Sequence, residues 1–404
     1  MQGKSRAKTD AQGQPTDFES AVGQLNQDFF FRDFTYSTST FTPEGGSEVE
    51  LADNVVWLDD LFIVLQVKER HAPATTTAEK ESKWFEAAVL KKATSQIRDT
   101  LKYLAEYATI ELLNNRGQVF NVASADLSRI QKLVVHHPHK LLPDECRFQK
   151  YHQSRTAGII HLIGSGDYFA ILRTLITPVE IAEYLAFREA LVIKNGAKTC
   201  EVSEKALVGQ YIRGLSDATP SDEFEQYVDE VEQKGKSWDI SRIIHLFPER
   251  RTTPIESEKV GYKVLKELAK LNRRQMAEFK KRFQLSMEKA KADAFCPPKR
   301  FGSEGGCGFV FVPLQREDIP YWRNALLNFA GLNKYEQKLD RCIGVAFMAV
   351  GDGKSYDAQW CFLDFPWKED PKLQAALDRS YPFGPVKVKR VERYGLSEMS
   401  DGSS

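Results

Sequence analysis

The sequence predicts a mixed α/β chain of the α+β kind. An apolar stretch from Leu61 to Val67 has the length and alternation of a strand and follows turn residues Asp59-Asp60. Segments on both sides of it carry apolar residues at helical spacing. Beyond a glycine-rich stretch near residue 300, short apolar runs again alternate with a helical pattern. At 404 residues the chain has room for two to three domains with a substantial core. Charged residues make up 28% and apolar ones 42%, the balance of an ordinary globular protein. Lys+Arg and Asp+Glu number 56 each, so contact with nucleic acid must come from local patches. No apolar run reaches the roughly 18 residues that a membrane span needs. The polar start, residues 1–14, lacks a signal-peptide core. Six scattered cysteines without a CxxC pair read as reduced thiols, and a cytoplasmic protein is expected.

The termini, residues 1–15 and 396–404, are small and polar and are expected to be disordered. A first helix follows, with Phe18, Ala21, Val22, Leu25 and Phe29 on one side and Thr16-x-x-Glu19 as a capping box at its start. Asp53 closes the next strand, ahead of the turn. In the strand from Leu61 to Lys68, alternate side chains share a face, so Gln66 and Lys68 project with Phe62 and Val64. Leu61, Ile63, Leu65 and Val67 take the other face. A strand apolar on both faces is buried, and a lysine at its end needs a partner. Asp53, one hairpin away, is the candidate. Glu50 lies three positions from Asp53 and faces away from it in a regular strand; only a bulge would bring it round.

Residues 71–82 read as a connection into a helix in which Ala88, Lys92, Gln96 and Thr100, four apart, form one stripe. Strands are expected at 118–122, 130–135 and 158–163. The last runs through Gly164-Ser165-Gly166-Asp167 into a helix, a turn that lacks the third glycine of a dinucleotide loop. A helix over 181–192 completes a first domain, 16–195. Residues 196–295 read as a helical region with turns near 216–220 and 248–254. It ends in a basic helix whose Lys270, Arg273, Arg274 and Lys281 suit phosphate contacts, although a charge run also serves as a solvated face. Residues 294–308 read as a linker. Strands at 309–314, 342–350 and 358–364 around a helix at 320–332 make a small α+β domain, 296–395. Gly351-Asp352-Gly353-Lys354-Ser355 reads as a hairpin turn. His136, His137, His139, His152 and Cys146 match no zinc-module spacing.

The order helix, hairpin, helix, with Asp53 before the turn and Gln66-x-Lys68 after it, resembles the PD-(D/E)xK nuclease superfamily, in its Mrr-type Gln-x-Lys form. The resemblance covers roughly residues 16–110. It implies a restriction-endonuclease-like N-terminal domain in which Asp53 binds metal, Gln66 stands at the second ligand position and Lys68 lies beside the attacked phosphate. Glu19 would be a further metal ligand, with Lys92 and Gln96 as supporting groups. Gln66 contributes an amide oxygen and no charge, so a second carboxylate is needed, with Glu19 and Glu50 the candidates. The chemistry suits Mg2+ or Mn2+, which takes oxygen ligands, polarises the phosphoryl group and activates water. The implied function is a metal-dependent endonuclease acting on DNA in bacterial restriction or anti-phage defence, often as a homodimer. Two other readings remain open: a catalytically silent nuclease fold that serves as an interaction or nucleic-acid-binding module, and a nuclease directed at RNA.

Overall fold

The computed structural model describes residues 17–43, 46–71, 75–233, 240, 243, 256–351, 355–384 and 393–396. The expected disordered termini, Thr16 of the capping box, the turn at 248–254 and residues 352–354 of the glycine-rich hairpin lie outside the described residues. The fold is mixed α/β, as expected. Two compact units divide the chain, the first reaching to residue 234 and the second running from 235 to 397.

In the first unit, helix α1 (Asp17–Phe30) precedes strands β1 (Thr35–Phe41), β2 (Val49–Leu58) and β3 (Leu61–Glu69). A short helix α2 (Ala78–Trp84), a π-helical segment (Phe85–Ala93) and α3 (Thr94–Glu106) follow without a break. A small two-stranded ribbon, β4 (Glu111–Leu113) and β5 (Val119–Asn121), leads to β6 (Gln131–His137), α4 (Asp144–Arg147), β7 (Tyr151–Ser154) and β8 (Gly158–Gly164). Four helices finish the unit: α5 (Ser165–Thr174), α6 (Pro178–Asn195), α7 (Glu204–Arg213) and α8 (Glu225–Glu232).

The main sheet has the order β1-β2-β3-β6-β8-β7. The first three strands form an antiparallel meander, β6 and β8 run parallel to β3, and β7 closes the far edge antiparallel. Central β3 is buried from Leu61 to Lys68, as its two apolar faces require. Its turn is tight: Leu58 pairs with Leu61, and Asp59 takes a left-handed φ of 58°, a conformation Asp tolerates. One face of the sheet carries Tyr36, Val55, Phe62, Val64 and Val134, packed against Phe85, Val89 and Ile97 of the π-helical segment and α3. The other face receives α1, where Asn26 donates to the Asn54 side chain at 3.1 Å and accepts from the Tyr168 hydroxyl at 2.7 Å.

Two local features depart from the regular elements expected. Ser39 pairs with Ala52 but Thr40 pairs with Glu50, so Leu51 is an extra residue in β2 and forms a β-bulge. The helix after β3 is π-helical over Phe85–Ala93, so the stripe expected from four-residue spacing does not hold as one surface. Ala88 and Thr100 are buried, Gln96 is half-buried and Lys92 is exposed.

Helices α7 and α8 belong to this unit and contact α5 and α6. They are pinned by a buried ion pair: Arg188 of α6 donates to both carboxylate oxygens of Glu204 in α7, at 2.8 and 3.1 Å. Burial alone would raise the Glu204 carboxyl, but Arg188 and Lys150 hold it below the usual range. The helical region read from the sequence as one stretch is therefore shared between the two units.

The second unit contains α9 (Glu256–Ala269), α10 (Arg273–Lys291), β9 (Lys299–Gly302), β10 (Cys307–Pro313), α11 (Trp322–Glu336), β11 (Arg341–Val350), β12 (Ser355–Asp364) and α12 (Pro371–Arg379). Its sheet order is β12-β11-β10-β9, with β10 and β11 parallel and both outer pairs antiparallel. Helix α10 covers one face through Phe279 and Phe283, against Phe309, Phe311 and Phe347. The other face packs Val310, Ala346 and Met348 against Leu326 of α11 and Leu377 of α12. The expected linker at 294–308 contains β9. Lys299-Arg300-Phe301-Gly302 has too little apolar alternation to announce a strand, yet Phe301 stacks on Phe309 and its backbone pairs with β10.

Candidate functional site

The two halves of the β2–β3 hairpin bring Asp53, Gln66 and Lys68 together on the sheet face covered by α3. The Lys68 ammonium lies 3.1 Å from Asp53 Oδ2 and 3.1 Å from Gln66 Oε1, and it donates to the Val67 carbonyl at 2.9 Å. Its three N–H groups are thus all engaged. Asp53 Oδ2 also accepts from the Val67 backbone N–H at 2.6 Å, so the carboxylate is held by strand and side chain together. The partner that the sequence assigned to Lys68 is therefore in place. All three side chains are covered: Asp53 is 9%, Gln66 1% and Lys68 6% exposed.

Glu50 joins them because of the Leu51 bulge. Val55 pairs with Tyr36 on the α3 face, and the register shift between Ser39 and Thr40 interrupts regular alternation beyond them. Glu50 pairs with Thr40 just past the extra residue, and its carboxyl reaches Asp53 instead of pointing away from it. A regular strand would have sent it the other way, as the sequence reading had it. Glu50 is hydrogen-bonded to Asp53, and its carboxyl is pushed up to about 7, first by burial and then by the Asp53 charge. Lys68 and Lys92 oppose that rise, which places the Lys92 charge within range of the same group.

The remaining sequence candidates sit differently. Glu19 is half-buried in the first turn of α1, on the sheet face opposite Asp53 and Lys68, where its neighbour Phe18 packs on the His137 ring at 5.1 Å. Gln96 is half-buried, and its Oε1 is buried without a hydrogen-bond partner among the described residues. In the second unit, Arg273 is buried with its guanidinium 4.6 Å from the Tyr394 ring centre, and Lys270 lies 3.7 Å from Glu267. Arg274 is half-buried and Lys281 exposed, so the four basic residues occupy different environments.

The histidine cluster splits across the sheet. His136 pairs in register with Lys68 and shares its face, whereas His137 points to the other side and bonds Ser165 Oγ at 2.8 Å. His136 is 1% exposed and neither ring nitrogen has a hydrogen-bond partner among the described residues. Burial above all, with the charges of Arg147 and His137, lowers it to about 4, so the ring is neutral. The sequence offered one signal for this residue, a histidine at a strand end one register from the lysine, but strand pairing was needed to read it.

The donor set fits a hard divalent cation. Asp53 Oδ2 and Gln66 Oε1 already converge on one positive centre, the Lys68 ammonium, and the Glu50 carboxyl adjoins them. No group of three His, Cys, Asp or Glu side chains is arranged for a metal among the described residues. The set here is two carboxylates and an amide oxygen, and Mg2+ commonly takes no more than this from protein, with water and substrate phosphate completing the shell. No family model, curated protein or solved structure matches the chain.

Proposed function

We propose that the first unit is a metal-dependent nuclease, most simply a DNA endonuclease of bacterial restriction or anti-phage defence, working in the cytoplasm. One observation carries the reading: Asp53 and Gln66 converge on Lys68 at the end of a buried hairpin, and the Glu50 carboxyl is bonded to Asp53. The arrangement of a helix, a three-stranded meander, a helix and a strand parallel to β3 supports it further. Asp53, Glu50 and Gln66 would hold Mg2+ or Mn2+, which when bound supplies charge for the phosphoryl oxygens and a more acidic water. With Asp53 and Gln66 so engaged, two of the three N–H groups of Lys68 would be released, and the ammonium would hold the attacking water or a phosphoryl oxygen. Lys92 is exposed in range of Glu50 and suits a flanking phosphate; Gln96 of α3 offers an amide oxygen without a hydrogen-bond partner among the described residues. Glu19 is a supporting group only where a bound substrate draws the start of α1 toward the hairpin. Lys270, Arg273, Arg274 and Lys281 are proposed for nucleic-acid contact chiefly through exposed Lys281. A homodimer is part of the same proposal and is read by solution mass.

The test is cleavage of plasmid DNA, linear DNA and RNA with Mg2+, Mn2+ or EDTA, comparing wild type with Asp53→Ala and Lys68→Ala. Metal-dependent cutting that both variants lose, with circular dichroism unchanged, is the expected result; equal cutting by the variants would reject the site. Preference for RNA would move the substrate class. A second reading, a silent nuclease fold acting as a binding module, is favoured by the closure of the site and by Gln66 in an acidic position. Metal-independent binding of nucleic acid with no cleavage under any condition would select it.

A further inference from the structure

Leu51, the extra residue of the bulge, falls between the Ser39–Ala52 and Thr40–Glu50 pairs and carries a carbonyl outside the regular register. That carbonyl is buried with its residue, which is 1% exposed, and a buried acceptor needs a donor. Thr100 supplies it. The Thr100 side chain is fully buried in α3, and its hydroxyl donates to the Leu51 carbonyl. The same oxygen lies 2.9 Å from the Gln96 carbonyl one turn earlier, so the helix fixes the rotamer that reaches the strand. No other side chain of α2, the π-helical segment or α3 makes a described hydrogen bond to β2.

We propose that Thr100 is a positioning residue: by clasping the Leu51 carbonyl it holds the bulge that presents Glu50 beside Asp53. Without the hydroxyl, the Leu51 carbonyl loses this donor and β2 relaxes toward regular pairing, which turns Glu50 away from Asp53. Helix α3 thereby governs the composition of the oxygen cluster without contributing a ligand. This rests on the proposed cation site for its effect on binding, but the geometric claim stands independently of it.

Two readouts test it. The first is the crystal structure of Thr100→Val, which keeps the shape and removes the donor. Loss of the bulge, or withdrawal of Glu50 from Asp53, is expected; an unmoved Leu51 and Glu50 would overturn the proposal whether or not the protein binds metal. The second is Mn2+ binding by electron paramagnetic resonance, without substrate. Thr100→Val is expected to weaken binding about 10- to 100-fold, the range typical of groups that orient ligands, while Thr100→Ser restores it. Added to Glu50→Gln, the valine substitution should weaken binding no further. A merely structural threonine would lower the melting temperature and leave Mn2+ affinity as in wild type. Fully multiplicative effects of the two substitutions would also overturn the idea. Bulge loss in Thr100→Val together with absent Mn2+ binding by the wild type would uphold the clasp and reject the cation site. Mn2+ binding by the wild type that Thr100→Val weakens and Thr100→Ser restores, with no cleavage under any condition, would uphold the clasp and reject the nuclease.

Discussion

Burial is the largest cause of the shifts at both His136 and Glu50, yet the two push stability in opposite directions with pH. The His136 ring sits at about 4 against an ordinary 6.5, so the unfolded chain takes up its proton first as pH falls. Its contribution is complete above about 6.5 and is lost as pH falls toward 4, a change of roughly 3 kcal/mol at most. The Glu50 carboxyl is raised from 4.5 to about 7, so its contribution is complete below 4.5 and is lost as pH rises through 7. We expect urea midpoints of the metal-free protein to fall on the acid side with a part that His136→Leu removes, and on the neutral side with a part that Glu50→Gln removes. Parallel curves for wild type and His136→Leu would mean that the ring takes up its proton in the folded protein as readily as in the unfolded chain. His136→Leu should also raise stability near pH 5, since two buried ring nitrogens without partners among the described residues are costly.

Individual elements differed in how far the sequence revealed them. Strand β3 was readable from its unbroken apolar run, and with it the meeting of Lys68 and Asp53, because alternation fixes which side chains share a face. The Leu51 bulge was not, since one extra residue reverses the alternation and leaves no mark on composition. Strand β1 (Thr35-Tyr36-Ser37-Thr38-Ser39-Thr40-Phe41) escaped notice for the opposite reason: it is mostly hydroxyl residues and becomes a strand through pairing with β2. The π-helical segment also hid, because spacing arguments assume an α-helical turn. Close packing between elements gives a sharper test. In α7, a Cβ placed on Gly209 would lie 1.9 Å from the Phe224 carbonyl oxygen, a backbone atom that cannot rotate away. Gly209→Ala should therefore destabilise the first unit by about 1–3 kcal/mol, measured by chemical denaturation. No loss would show that α7 and the turn before α8 can separate freely.

Each unit has a core of its own, one around Phe62, Val134 and Phe85, the others on the two faces of the second sheet. Thermal unfolding is therefore expected to show two transitions. Gly344→Ala in β11, where a Cβ would meet Leu326 at 2.7 Å and Cys361 at 2.8 Å, should lower one of them and leave Mn2+ binding unchanged. A single transition moved as a whole would show the units to be thermodynamically one. No helix among the described residues is long and apolar enough to cross a membrane, and all six cysteines are free thiols.

The bond from the Val67 amide to Asp53 Oδ2, at 2.6 Å, has a use of its own. An amide proton donated to a carboxylate over so short a distance is strongly deshielded, and it resonates far from the crowded centre of a proton–nitrogen spectrum. The Val67 signal would thus be a native beacon inside the hairpin. Its frequency follows the charge that Asp53 carries and whatever else draws on that oxygen, so one resonance reports the state of the cluster with no label, substrate or assay attached.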